Sequence, residues 1–249
     1  MKVMTLLRTI FLIACALPAA AQFNVQLSKE TEQAFDDYVK AAEAKMDWRG
    51  RFHADKEGAL VLTAGGAQST IDIKDGLIHD WAAATFVPGG TVSKALAVLQ
   101  DYDNYKTFYA PQVSDSKLLL HNGNKYRVYL RLNKSKGVVS AILDSEYDVD
   151  FKALDGGRWS KLSRSTKMNE VQFGKPQADG IGLGFLWRLN AYWVIEPRPK
   201  GVYVECRSIS MSRDIPKGLA WMIKPMVTTL PKESLRDTML GTTKAMAAK

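Results

Sequence analysis

The chain has 249 residues, of which 46% are hydrophobic and 24% charged, and its formal net charge is +8. This length suits one large domain or two small ones, and the composition excludes a chain that is disordered by default. Lysine and arginine are spread along the sequence, and their one local cluster is Arg131, Lys134 and Lys136. Dispersed basic charge favours weak attraction to lipid headgroups, and a nucleic-acid partner is not indicated.

The first 21 residues have the three-part pattern of a secretory signal peptide. Lys2 and Arg8 give a positive start, residues 9–17 are apolar, and residues 19–21 are alanines suited to cleavage. The apolar run is shorter than the roughly 20 residues that span a bilayer. Lipoprotein processing at Cys15 is a less favoured alternative because it leaves a very short apolar region. The pattern predicts a periplasmic or secreted protein.

The segment after the signal peptide predicts one helix and then short strands. Residues 28–46 have helical spacing with Ser28 as a cap, and the proposed buried face is Thr31, Phe35, Tyr38, Val39, Ala42 and Met46. Strand-like runs flank Gly65 and Gly66, which is a hairpin signal. A turn at Asp75 and Gly76 leads into a longer strand over residues 77–86.

The rest of the chain alternates between helical and strand-like patterns. Thr91 caps a short helix, and an aromatic-rich turn region follows with Tyr102, Tyr105, Phe108 and Tyr109. Strands are predicted over residues 116–120, 125–132, 138–151, 158–170, 185–195 and 202–212. Tight connections make consecutive strands antiparallel, and residues 173–184 predict a longer flexible connection. Residues 216–226 suit short turns, and Pro231 is well placed to begin a terminal helix.

Two segments resemble the START-like (SRPBCC, helix-grip) superfamily, which includes polyketide cyclases, the birch-pollen allergen family and coenzyme Q-binding proteins. Residues 91–111 (TVSKALAVLQDYDNYKTFYAP) are similar to the family's first helix pair, and residues 214–219 (DIPKGL) resemble the passage into its last helix. The resemblance covers roughly residues 76–246. Residues 22–75 fall outside it and are interpreted as an extension or lid.

The resemblance implies an α+β fold in which a curved antiparallel sheet wraps around a long C-terminal helix. The expected organisation is a signal peptide over residues 1–21, an N-terminal helix and hairpin extension over 22–75, and a helix-grip domain over 76–249. Family members hold sterols, phospholipids, quinones, hormones or polyketides between sheet and helix. One fold hosts many functions, so the resemblance names no ligand.

Strand alternation separates an apolar face from a charged one. In the strand over residues 185–195 the apolar set is Phe185, Trp187, Leu189, Ala191, Trp193 and Ile195. In residues 125–132 the apolar positions are Tyr126, Val128, Leu130 and Leu132. In residues 138–151 they are Leu143, Tyr147, Val149 and Phe151. The apolar face is expected to meet the terminal helix and any ligand.

The charged face has two interpretations, which the sequence leaves open. One is a solvated sheet surface with cross-strand ion pairs. The other places Arg131, Glu146, Arg164 and Arg188 inside a cavity, where Glu146 pairs with an arginine and the group binds a polar ligand end.

The aromatic and methionine residues also have two interpretations, a pocket lining or plain core. The candidate ligand contacts are Tyr147, Trp187, Trp193, Met211, Trp221 and Met239, with Met222 beside them. The helix-grip resemblance favours the pocket, because that fold commonly encloses a cavity.

Common catalytic signatures are missing from the sequence. His53, His79 and His121 are scattered, and there is no Gly-x-Ser-x-Gly elbow, Cys-x-x-Cys pair or phosphate-binding loop. Cys206 lies in a strand-like run and is expected to be buried and inert. No metal or cofactor is indicated.

Three hypotheses of function follow from these patterns. The first is an exported binder of a lipid, quinone or other apolar molecule. The second is a cyclase-like or hydrolase-like enzyme that uses Tyr, Arg and Glu side chains. An acid–base pair of side chains with shifted pKa values would favour it. The third is a structural envelope protein with a filled core. A void of roughly 300 Å³ or more would favour binding over a packed structural domain.

Overall fold

The computed structural model describes residues 24–46, 60–136, 139–215, 224 and 227–249. Its helices are α1 (Lys29–Ala44), α2 (Val92–Leu99), α3 (Tyr105–Phe108) and α4 (Leu230–Ala248). The predicted signal peptide, Cys15 and, apart from residue 224, the turns predicted over residues 216–226 lie outside the described residues. Within the described part of the chain, no helix is both long enough and apolar enough to cross a bilayer.

Twelve strands connect these helices in the described residues. They are β1 (Val25–Gln26), β2 (Val61–Ala64), β3 (Thr70–Ile73), β4 (Gly76–Pro88), β5 (Val113–Asn122), β6 (Lys125–Lys136), β7 (Val139–Ala153), β8 (Trp159–Gln172), β9 (Lys175–Pro176), β10 (Ile181–Gly182), β11 (Arg188–Arg198) and β12 (Gly201–Arg213). The sheet order is β2-β4-β12-β11-β8-β7-β6-β5, with β3 also on β4 and β9 on β8. Every pairing is antiparallel, as predicted.

The helix starts follow the predicted caps. The Ser28 hydroxyl accepts a hydrogen bond from the Thr31 amide at 3.1 Å, and the Thr91 hydroxyl accepts one from the Lys94 amide at 3.1 Å. Each cap satisfies an amide that has no partner inside its helix. Pro231 lies in the first turn of α4, where its missing N–H costs no helix bond.

The hairpin expected at Gly65 and Gly66 is wrong. Instead of pairing with each other, β2 and β3 lie one after the other along β4. The glycines allow a close approach: a Cβ at Gly65 would lie 1.9 Å from an Asp80 carboxylate oxygen. Asp80 is fully buried and accepts hydrogen bonds from Arg207 at 2.6 and 2.9 Å and from the Tyr38 hydroxyl at 2.7 Å. These glycines therefore make room for a buried ion pair.

The main core lies between α4 and one face of the sheet, called here the inner face. A single buried cluster includes Leu77 of β4, Val113 of β5, Trp193 of β11 and Met239 of α4. Since β4 lies near one end of the strand order and β5 lies at the other, the sheet must bend around α4 for these residues to pack together. This is the α+β helix-grip arrangement that the resemblance implied.

The predicted N-terminal extension packs against the opposite, outer face. Phe35 of α1 is buried in a second cluster with Ile78 of β4 and with Ile209 and Met211 of β12. The helix therefore does not cover the inner face as a lid would. Because β2 and β3 join β4, the sheet is continuous across the proposed boundary at residues 75 and 76. The division into two domains stays a prediction.

Candidate functional site

A cavity of about 180 Å³ lies between the inner face and the first half of α4. The sheet contributes apolar side chains to its wall, including Val128, Leu130, Leu143, Ala191 and Trp193. The volume is below the roughly 300 Å³ expected of a binding cavity, and it is enough for a ring-sized apolar molecule. The space between sheet and helix is therefore only partly filled by side chains.

The tyrosines of the predicted aromatic turn form one side of this cavity. Tyr102, Tyr105 and Tyr109 all line it, with ring centroids 4.9 Å apart for Tyr102 and Tyr105 and 4.8 Å apart for Tyr105 and Tyr109. The Tyr105 hydroxyl donates to the Leu99 carbonyl oxygen at 2.6 Å, and the Tyr109 hydroxyl lies 3.0 Å from the Thr242 hydroxyl. These bonds fix the wall to α2 and α4.

A lysine lies behind the tyrosine wall. The Lys161 Nζ donates to the Tyr105 hydroxyl at 3.1 Å and lies 5.4 to 5.8 Å from the ring centroids of Tyr102, Tyr105, Phe151 and Trp193. Burial lowers the pKa of Lys161 to about 8. The ring faces partly compensate the buried charge through cation–π contacts.

The single cysteine of the described residues also lines the cavity. Cys206 is buried, as the sequence predicted, and burial raises the pKa of its thiol. A thiol with a raised pKa stays protonated and is a poor nucleophile. Among the described residues, no group of three or more His, Cys, Asp or Glu side chains could hold a metal ion.

Four polar side chains of the cavity lining are partly exposed and are called here the mouth: Gln112, Lys134, Ser234 and Asp237. The Gln112 amide donates to Asp237 Oδ2 at 2.8 Å, and Lys134 Nζ donates to Ser234 Oγ at 3.1 Å. Burial lowers the pKa of Lys134 to about 8, and the Asp237 charge opposes that shift. Sequence reasoning noted Lys134 only as part of a basic cluster and missed the others.

The connection between β8 and β11 is held in place, contrary to the flexibility expected for residues 173–184. The buried Glu170 carboxylate accepts hydrogen bonds from the Leu183, Gly184 and Phe185 amides at 2.6, 2.8 and 3.3 Å. Burial raises the pKa of Glu170, and these amides oppose the shift. A Cβ at Gly182 would lie 2.5 Å from the same carboxylate. The segment thereby brings Phe185 to the cavity wall.

Three of the predicted ligand contacts lie on the inner side of the sheet. Tyr147 and Trp193 line the cavity. Met239 of α4 is buried in the same core but borders a separate groove beside the end of β4. Trp221, like Met222, lies outside the described residues.

Trp187 and Met211 lie on the outer face, in the cluster that α1 covers. The expectation that Trp187 shares a face with Trp193 is wrong because β11 begins at Arg188, so the alternation does not extend back to Trp187. In β12 the side chains of Cys206, Ser208 and Ser210 line the cavity. Successive side chains of a strand point to opposite faces, so Met211 points outward. Ligand contact in the cavity by either residue has no geometric support.

The four predicted charged contacts also lie on the outer face. Arg131 bonds Asp144 at 2.7 Å, Lys167 lies 3.4 Å from Glu146, and Arg164 bonds Glu43 of α1 at 2.7 Å. Arg188 is bonded to Glu32 and, at 3.0 Å, to Asp179. The pairs of Arg131 and Glu146 are the cross-strand ion pairs of the first interpretation, whereas the pairs that Arg164 and Arg188 form with α1 were not predicted. The interpretation that placed them in a cavity is wrong, because they alternate with the lining residues along each strand.

No protein-family model matches the chain, and no curated protein matches it. Solved structures similar to it include a STAR-related lipid transfer protein fragment from Xanthomonas axonopodis, with 17% identity, a TM-score of 0.47, and coverage of 73% of this chain and 98% of the other. Another is the Zhui aromatase/cyclase from a Streptomyces species, with 10% identity, a TM-score of 0.49, and coverage of 68% of this chain and 94% of the other. A third is human STARD10, with 12% identity, a TM-score of 0.48, and coverage of 92% of this chain and 84% of the other.

The fold class rests on the topology of this chain itself. Its antiparallel sheet bends around a C-terminal helix, α2 and α3 connect β4 to the far edge strand β5, and a cavity remains between sheet and helix. On these features the chain has the START-like helix-grip fold.

Proposed function

We propose that this protein binds an apolar small molecule, such as part of a lipid or a quinone, between the sheet and α4. The observation that carries the proposal is the cavity, whose lining is mostly apolar and aromatic and whose charged side chains, Lys134 and Asp237, lie at the mouth. Binding sites for small molecules commonly combine an apolar lining with a few placed polar groups. A core packed to the usual density leaves few voids larger than a water molecule.

The size of the cavity limits what it encloses. About 180 Å³ holds a ring or a short chain, so a longer ligand would extend out of the cavity. A ligand of that length would keep an apolar part inside the cavity, against the apolar and aromatic side chains of the wall.

Export is part of the same proposal and rests on the N-terminal sequence pattern. Cleavage after Ala21 would release a mature protein that begins at Gln22 in the periplasm or outside the cell. N-terminal sequencing of the protein from its native host tests this directly. An uncleaved N-terminus would contradict export through this signal, and a mature chain beginning at Cys15 would identify a lipoprotein instead.

The binding proposal is tested by native mass spectrometry of the mature protein, followed by organic extraction. We expect a reproducible bound mass of a few hundred daltons. A clean unliganded mass would favour the structural hypothesis.

A pair of alanine variants locates the ligand. Ala191 lies in the cavity wall and Ala153 is exposed on β7. Ala191→Phe fills the cavity and is expected to abolish the bound mass, whereas Ala153→Phe is expected to retain it. Retention of ligand by folded Ala191→Phe would contradict binding in this cavity.

A further inference from the structure

The Lys134 ammonium at the mouth forms no ion pair within 4.0 Å among the described residues. Its one hydrogen bond there is to the Ser234 hydroxyl at 3.1 Å, and the Asp237 charge acts on it only from a longer distance. Asp237, the carboxylate at the mouth, accepts a hydrogen bond from Gln112 instead. A lysine at an apolar cavity is therefore left with one neutral partner.

This arrangement is costly unless something completes it. The Lys134 side chain is half-buried, and the solvation that its charge loses there is recovered only by pairing and hydrogen bonding. Burial lowers the pKa of Lys134 to about 8, and the charge of Asp237 offsets only part of this shift. A negative group at the mouth would supply the missing pair. The apolar wall begins beside it at Leu132 and Leu230.

We propose that the ligand is an amphiphilic monoanion, such as a carboxylic acid, whose charged end binds Lys134 and whose apolar body lies in the cavity. This inference rests on the proposed function. The Ser234 hydroxyl is placed to donate to a second ligand oxygen. Asp237 shares the mouth and repels excess negative charge, so a monoanion is favoured over a dianion such as a phosphate monoester.

The charge of the ligand is tested on the whole mature chain by calorimetric titration. Octanoate is compared with methyl heptanoate, which has a similar length and no charge, and with octylamine, which has the opposite charge. We expect octanoate to bind at least about tenfold more tightly than the ester, the ratio that corresponds to one hydrogen-bonded charge pair. Octylamine and octyl phosphate are expected to bind more weakly than octanoate.

The role of Lys134 is tested with a charge-matched control. Lys134→Met and Lys232→Met each remove one positive charge, but Lys232 is exposed on α4 and lies over the Trp81 ring. We expect the preference for octanoate over the ester to disappear in Lys134→Met and to persist in Lys232→Met. Equal losses in both variants would indicate only nonspecific attraction and would overturn the proposal.

The two proposals fail in different ways. If octanoate and methyl heptanoate bind equally well to the unmodified chain, the anion inference is wrong and the apolar site stands. If neither binds, the proposed function itself is contradicted at this ligand size, and the inference falls with it. Tighter binding of octyl phosphate would overturn the monoanion. These three results need no variant, so they hold even if Lys134→Met does not fold.

Discussion

His79 is a buried histidine in β4, with 1% of its surface exposed and its Nε2 3.0 Å from the Ser212 hydroxyl. Burial lowers the pKa of His79 from 6.5 to about 4. Between these values the unfolded chain binds a proton that the folded chain does not. The free energy of unfolding therefore decreases as the pH falls through this range, by at most about 3 kcal/mol.

Replacing His79 by Gln should make stability less dependent on pH. We expect the difference in urea midpoint between pH 6.5 and pH 4 to shrink in His79→Gln, because the group that takes up the proton on unfolding is gone. The exposed His121→Gln serves as the control and should follow the unmodified chain. An unchanged pH dependence in His79→Gln would contradict the buried neutral state of this histidine.

At the scale of elements, α1 acts as a brace on the outer face, away from the cavity. Phe35 has 2% of its surface exposed, and Glu43 accepts hydrogen bonds from Arg164 and from the Tyr192 hydroxyl at 2.7 Å each. Partly exposed ion pairs contribute little, so the apolar contacts of Phe35 supply most of the attachment.

Phe35→Ala is expected to lower the free energy of unfolding by about 3 kcal/mol, because it leaves a cavity between α1 and the sheet. Octanoate affinity should stay unchanged, since α1 and the ligand cavity lie on opposite faces. Urea denaturation and calorimetry measure the two effects. Phe173→Ala, at a side chain that is 69% exposed, is the matched control and should change neither. A tenfold loss of affinity in folded Phe35→Ala would show that α1 affects the ligand site.

At the scale of the whole molecule, the net charge of +8 is not gathered into one patch in the described residues. Arg127 and Arg131 pair with Asp148 and Asp144 at 2.7 Å on the outer face, while Lys134 faces the mouth. The basic cluster seen in the sequence is thus divided between two faces. We expect weak association with anionic lipid vesicles that disappears at about 0.5 M salt, where screening is strong. Association that survives in high salt, measured by vesicle co-sedimentation, would indicate apolar insertion instead.

The local alternation within strands could be predicted well. In β6 and β7 the residues expected to be apolar and inward, such as Val128, Leu132, Leu143 and Phe151, are buried in the main core. The period of two is a property of the strand itself and needs no partner. The same reasoning was wrong at Trp187, because the position at which a strand begins depends on the partner strand and on the bonds made by Glu170.

The sequence alone determined the order of the main helices and strands, the antiparallel pairing of the strands after β4, the caps at Ser28 and Thr91, and the aromatic turn that became a cavity wall. These depend on residues close together in the chain. Only the tertiary structure decided the mouth and the role of α1. The Lys134–Ser234 and Gln112–Asp237 bonds join residues 100 and 125 positions apart. Contacts between residues so far apart in the sequence depend on how the sheet bends around α4. A local sequence pattern does not determine that bend.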